Sequence, residues 1–166
     1  RDMRRLQGIA GAGHAAGPLT RLTTSADTMG DVSADGTMLA YVGNRTAQAD
    51  VWRVPLDPDT SMPTGPPQRV INSSAEDLGP YPLPDNRHLL FLSNREGAQY
   101  LYISDLDGRG VKLVDKSHVW RRVASVSPDG RTVALWRGDP GQKVASFLLP
   151  FDPATLEATG PARQIG

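Results

Sequence analysis

Three stretches of this chain copy one another, and a repeat constrains a fold more than any single motif. The copies are Val32-Ser33-Ala34-Asp35-Gly36-Thr37, Pro82-Leu83-Pro84-Asp85-Asn86-Arg87 and Val126-Ser127-Pro128-Asp129-Gly130-Arg131. Their aspartates serve as anchors: Asp35, Asp85 and Asp129 stand 50 and 44 residues apart. A short apolar run follows each anchor, Met38 to Val42, His88 to Leu92 and Thr132 to Trp136. A second apolar run then carries an aromatic residue at nearly constant distance. Trp52 and Tyr102 lie 17 residues past their anchors, and Phe147 lies 18 past its own. The tails match as well. Leu56-Asp57-Pro58-Asp59-Thr60 leads to Thr64-Gly65-Pro66, as Phe151-Asp152-Pro153-Ala154-Thr155 leads to Thr159-Gly160-Pro161. Gly17-Pro18-Leu19-Thr20-Arg21 returns as Gly65-Pro66-Pro67-Gln68-Arg69.

The residue types give the repeat a physical meaning. In Pro-Asp-Gly, proline presets φ, aspartate bonds to nearby backbone, and glycine accepts positive φ. Asn86 takes the glycine place in the second copy, and asparagine is the next residue to tolerate that conformation. A five-residue apolar run after such a turn has strand length, not helix length. The runs are apolar on both faces, which implies burial from both sides. Each unit therefore reads as four strands. The first ends at Ser33, Leu83 or Ser127. The second follows the turn, and the third carries Trp52, Tyr102 or Phe147. The fourth contains Arg69-Val70, Lys112-Leu113 or Arg163-Gln164. The 17 glycines and 14 prolines are the punctuation of such short elements.

Four antiparallel strands at this period describe the blade of a β-propeller. The expected fold is all-β: about three blades of four antiparallel strands plus an N-terminal outer strand around Thr20 to Thr23. Residues 1–17 read as a linker or weak first strand, and 18–166 as a partial propeller with blades near 24–72, 73–115 and 116–166. Ser127-Pro128-Asp129-Gly130-Arg131-Thr132-Val133-Ala134, Ser93-Asn94-Arg95-Glu96-Gly97 and Asp50-Val51-Trp52 resemble the WD40-like repeats of TolB-type six-bladed propellers. The resemblance covers residues 19–166. No unit ends in the Trp-Asp dipeptide of true WD40 repeats. Propellers usually close with 4–8 blades, so the chain reads either as part of a longer one, which the start at Arg1 instead of Met also suits, or as a unit whose copies assemble to close a ring. Open blade faces left this way invite self-association.

Composition excludes several functions. Eighteen Lys plus Arg balance 18 Asp plus Glu, against phosphate neutralisation of a nucleic acid. There is no cysteine, hence no disulfide scaffold, Cys-ligated zinc or thiol nucleophile. No apolar run is long enough to cross a bilayer. Gly11-Ala12-Gly13-His14-Ala15-Ala16 fits a dinucleotide pattern, but no strand precedes it and Gly17-Pro18 follows, so it reads as a loop. His-Glu-x-x-His and Gly-x-Ser-x-Gly are both absent. Asp57 with Asp59, and Asp105 with Asp107-Gly108, imitate the start of a calcium loop. Arg109 and Lys116 then stand where ligands belong, so these read as hairpin turns. Asn44-Arg45 and Asn94-Arg95 recur at matching places, which favours a structural tie over a ligand ring. No catalytic residue, metal ligand or cofactor is expected.

One stretch has no counterpart in the other units: Lys116-Ser117-His118-Val119-Trp120-Arg121-Arg122. It joins a fourth strand to the next first strand. The resemblance places that connection near the channel mouth, where members of the family bind partners. His118, Trp120, Arg121 and Arg122 are the candidate binding residues, since Trp and Arg are typical interface anchors. The expected function is a non-catalytic scaffold for protein or peptide, as in the sensor or interaction domain of a larger bacterial protein. It would take no nucleic acid and would not insert in a membrane. The resemblance implies a periplasmic or extracytoplasmic place, and the scarcity of lysine suits a GC-rich bacterial source. The alternative is the substrate-gating propeller of a prolyl-oligopeptidase-like serine peptidase whose catalytic domain lies elsewhere.

Overall fold

The computed structural model describes residues 30–43, 48–117, 119–138 and 143–166, and the backbone strands at 4–6, 9–10, 14–15, 19–21 and 28–29. Every regular element among them is a strand. Three antiparallel sheets follow one another along the chain. Blade I holds Thr28–Val32, Met38–Gly43, Asp50–Pro55 and Gln68–Arg69 in that spatial order. Blade II holds Asp77–Pro82, His88–Ser93, Tyr100–Asp105 and Lys112–Asp115. Blade III holds Arg122–Val126, Thr132–Arg137, Ala145–Asp152 and Arg163–Ile165, and the short strand Glu157–Ala158 also pairs with the third. Ahead of the blades, Leu19–Arg21 pairs with Arg4–Leu6, and Ile9–Ala10 pairs with His14–Ala15.

The anchor turns are built alike, because the same side chains do the same work. Ser33 and Ser127 donate from Oγ to Asp35 and Asp129 at 2.7 and 2.6 Å, and accept at Oγ from Met38 and Thr132 N–H. Asp35, Asp85 and Asp129 each accept from a backbone N–H two residues on, at 2.9 to 3.0 Å. Gly36 and Gly130 adopt φ of 72° and 73°, and Asn86 takes 54° in the same position. The tails are equivalent turns as well. Asp57 Oδ1 accepts from the N–H of Asp59 and Thr60, and Asp152 Oδ1 from that of Ala154. These aspartates hold hairpins.

Side chains alternate across each sheet, so every second strand serves two neighbours. Leu89 and Phe91 pack towards blade I, with Met38, Ala40, Val51, Val70, Ile71 and Tyr102. Leu90 and Leu92 pack towards blade III, in a cluster that includes Trp120, Val133, Leu135, Phe147 and Leu149. Burying each such side chain is worth about 1.5–3 kcal/mol against leaving it in water. The two outermost faces differ. The far face of blade I is buried: Leu39, Tyr41, Val54 and Leu56 form a third cluster. The far face of blade III is open, with Trp136 40% and Leu148 36% exposed. The expectation of burial from both sides therefore holds for the second strands of blades I and II and fails for that of blade III.

Candidate functional site

The first strand of every blade carries a bulge at the same place. The ladder slips between Thr28 and Asp31, between Leu78 and Tyr81, and between Val123 and Ser125. Each slip lies five or six residues before its anchor aspartate. A bulged residue drops out of the ladder and bends its strand. The residues there are suited to that: Gly30, Gly79 with φ of 56°, Pro80 with no N–H to waste, and Ala124. The three bulges converge on one recess of about 180 Å³, lined also by Asp31, Tyr81, Arg122 and Val123. It lies where the first strands of all three sheets meet.

Two residues of opposite charge line this recess. Asp31 is half-buried, and its Oδ1 accepts the Val32 N–H at 2.8 Å. Burial pushes its carboxyl above the ordinary value, while the Val32 bond and the Arg122 charge pull it back. The Arg122 guanidinium carbon stands 5.4 Å from the centre of the Trp136 ring, in cation–π range. Asp31 and Arg122 sense each other's charge but form no ion pair.

The residues expected from sequence are placed as follows. Trp120 is 0% exposed. Its backbone N–H donates to Gln99 O at 2.9 Å, its Nε1 donates to Asp115 Oδ2 at 2.7 Å, and its ring meets Phe147 edge-on at 5.4 Å. The anchor role expected for it is corrected, because a ring closed inside the blade II–III core has no surface to offer. Arg121 is exposed and donates from Nε to Gly138 O at 2.8 Å. Arg122 is exposed and lines the recess. His118 lies outside the described residues. Asp31, Tyr81 and the bulge were missed. Their signal was a small or ring-closed residue five positions before each anchor: Gly30, Pro80 and Ala124.

No family model matches the sequence, and no curated protein does. Solved structures do. TolB from Acinetobacter baumannii matches with a TM-score of 0.62 at 19% identity, over 87% of this chain and 33% of that one. A puromycin-hydrolyzing peptidase from Mycobacterium tuberculosis matches at 0.60 and 18% identity, over 89% of this chain and 24% of that one. The β-propeller domain of the trilobed protease from Pyrococcus furiosus matches at 0.50 and 13%, over 84% and 42%. The fold is that of TolB-like β-propeller blades. The chain spans a third or less of the length of the first two relatives in fold.

Within these propeller blades the seam between I and II carries a buried charge network. Asp50 and Asp77 are both 0% exposed. Arg69 Nη2 donates to Asp50 Oδ1 at 2.5 Å, and Arg95 Nη2 to Asp77 Oδ1 at 3.1 Å. Ser73 Oγ donates to Asp77 Oδ2 at 2.6 Å. The Arg95 guanidinium also lies 4.8 Å from the centre of the Tyr102 ring. Asn94 Oδ1 accepts the Glu76 N–H at 2.9 Å. The Asn94-Arg95 pair is thus a structural tie, and its carboxylate is Asp77. Asn44-Arg45 lies outside the described residues. Among the described residues no three His, Asp or Glu side chains gather as a metal site, and no helix is long and apolar enough to cross a membrane.

Proposed function

We propose that this chain is part of a non-catalytic propeller scaffold that binds a protein or peptide on the side where its first strands converge. The observation that carries this is the recess: three aligned bulges bring the first strands of all three blades, with Asp31, Tyr81 and Arg122, to one place. Such a wall recognises and positions, on a stiff frame that needs little ordering on binding. Arg122 lines that recess, Arg121 lies exposed beside it in sequence, and His118 and Trp120 complete the candidate set read from the sequence. The open face of blade III supplies a second contact, for self-association. The resemblance to TolB supports a periplasmic or extracytoplasmic place in a bacterium.

Crosslinking of the whole protein in its own cells tests the reading. Partner crosslinks should map to the first strands and to residues 116–122. Crosslinks confined to the fourth strands would overturn it. The same cells, fractionated, test the compartment.

A second reading has its own observation, since one matching structure is a peptidase and another is the propeller domain of a protease. The chain would then be the gating propeller of a serine peptidase. A Gly-x-Ser-x-Gly motif downstream in the gene, with peptide hydrolysis by the whole protein, would favour it over the scaffold.

A further inference from the structure

A cavity of about 310 Å³ opens beside the seam between blades I and II, lined by Thr37, Met38, Arg53, Pro55, Gln68 and Leu106. Arg53 is the one charged residue among the described residues that line it. Hydrogen bonds to two other lining residues fix its guanidinium there. Nε and Nη2 donate to Gln68 Oε1 at 3.1 and 3.0 Å, and Nη1 donates to Leu106 O at 2.8 Å. A guanidinium has five N–H donors, and three are spent in these bonds, all on neutral oxygens, which leaves two. The carboxylates next to the lining residues in sequence turn elsewhere. Asp35 accepts from Ser33 and Thr37, Asp105 stands 3.6 Å from His88 Nε2, and Asp107 stands 3.3 Å from Arg109 Nε. The repeat does not demand an arginine at this place either. Ile103 and Leu148 hold it in blades II and III, paired with Lys112 and Arg163 as Arg53 is paired with Gln68. We infer that this cavity is a binding site for an aliphatic monocarboxylate, with its carboxylate on the two remaining Arg53 N–H groups and its chain against Met38, Pro55 and Leu106.

Other ligand classes fit less well. A carboxylate can accept from two N–H groups of one guanidinium and carries a single charge to match it. Phosphate would bring further charge onto apolar walls that cannot solvate it. A peptide end would bring amides that need partners, and these walls offer no free N–H. Leu106 N–H is spent on Arg87 O, Met38 N–H is spent on Ser33 Oγ, and Pro55 has none. The volume lies at the lower edge of ordinary small-molecule sites, roughly 300–1,000 Å³. That suits a short chain.

The cavity shares no lining residue with the first-strand recess, so loss of a protein partner there would leave it untouched. Calorimetric titration of the whole protein with pentanoate, acetate, pentanamide, inorganic phosphate and the peptide Gly-Gly-Leu tests the assignment. A buried methylene is worth roughly fourfold in affinity. Pentanoate should therefore bind at least about tenfold more tightly than acetate, and as far ahead of the uncharged amide, phosphate and the peptide. Gln68→Glu, at an exposed position, keeps an oxygen for Arg53 Nε and Nη2 and cancels the charge from within the chain. It should melt no lower than the parent and still lose about tenfold in pentanoate affinity. Arg53→Lys keeps the charge without the fork and should lose as much. No binding of pentanoate, binding equal to that of acetate or pentanamide, tighter binding of phosphate or the peptide, or unchanged affinity in Gln68→Glu would overturn the assignment.

Discussion

The seam between blades I and II and the seam between II and III solve one problem with different chemistry. Both use the same backbone latch. Asp77 N–H donates to Ala49 O at 2.9 Å, and Trp120 N–H donates to Gln99 O at 2.9 Å. The side chain at the latch then sets the character of the seam. Asp77 draws Arg95 and Ser73 into a buried charge network, whereas Trp120 brings an indole to Phe147 and spends its one polar atom on Asp115. A repeat fixes where a blade touches its neighbour. It leaves open whether the contact is ionic or apolar.

The largest test of that contrast is Trp120→Ala. It empties an indole-sized space in the II–III core and takes one donor from Asp115, which keeps those of Ser117, so it should cost about 3–5 kcal/mol in urea unfolding. Asp77→Ala strips the I–II network and leaves Arg95 unpaired beside the core, for a loss of about 3 kcal/mol. The double variant should show the sum within about 0.5 kcal/mol, because the sites share no partner. A large coupling would mean that the seams are one unit.

A smaller effect is expected at Gly108. It holds φ of 81°, and an added Cβ would meet the Val70 carbonyl oxygen of blade I. Gly108→Ala should loosen the I–II seam by about 1–3 kcal/mol and leave Trp120 fluorescence unchanged. The two seams should also part in alkali. Burial and then the Glu96 charge push the Tyr102 phenol up to about 12. Folding favours its neutral form, so that stability is whole below the ordinary value of 10.0 and is lost as pH rises towards about 12. Ultraviolet titration of tyrosinate should show this phase, and Tyr102→Phe should remove it. The least effect belongs to acid. Asp35 and Asp129 are held below the ordinary 3.8, first by the Ser33 and Ser127 hydroxyls and then by backbone N–H groups. Their contribution is present above that value and fades as pH falls through it. Asp35→Asn should flatten the acid limb of the melting curve slightly.

Most of the architecture was legible because it is local. The turn at Asp129 needs only Ser127, Asp129 and Gly130, and those residues advertise it. Asn86 was readable as a stand-in for glycine for the same reason. Trp120 was misjudged because its environment comes from Gln99, Asp115 and Phe147, distant residues that no local pattern ties to it. The recess was missed for a related reason. Gly30, Gly79 and Ala124 look like ordinary loop residues until three strands are laid side by side. Trp136 sits in an apolar run like those of the other blades, and only the sheet order shows that its face has no neighbour.

That open face gives the stack a direction. The far face of blade I is closed within the chain, with Tyr41 and Val54 buried, whereas blade III presents Trp136 and Leu148. The exposed strip of Trp136 and Leu148 is what the next sheet of a repeat array would cover, in the way that blade II covers Met38 and Ala40 of blade I.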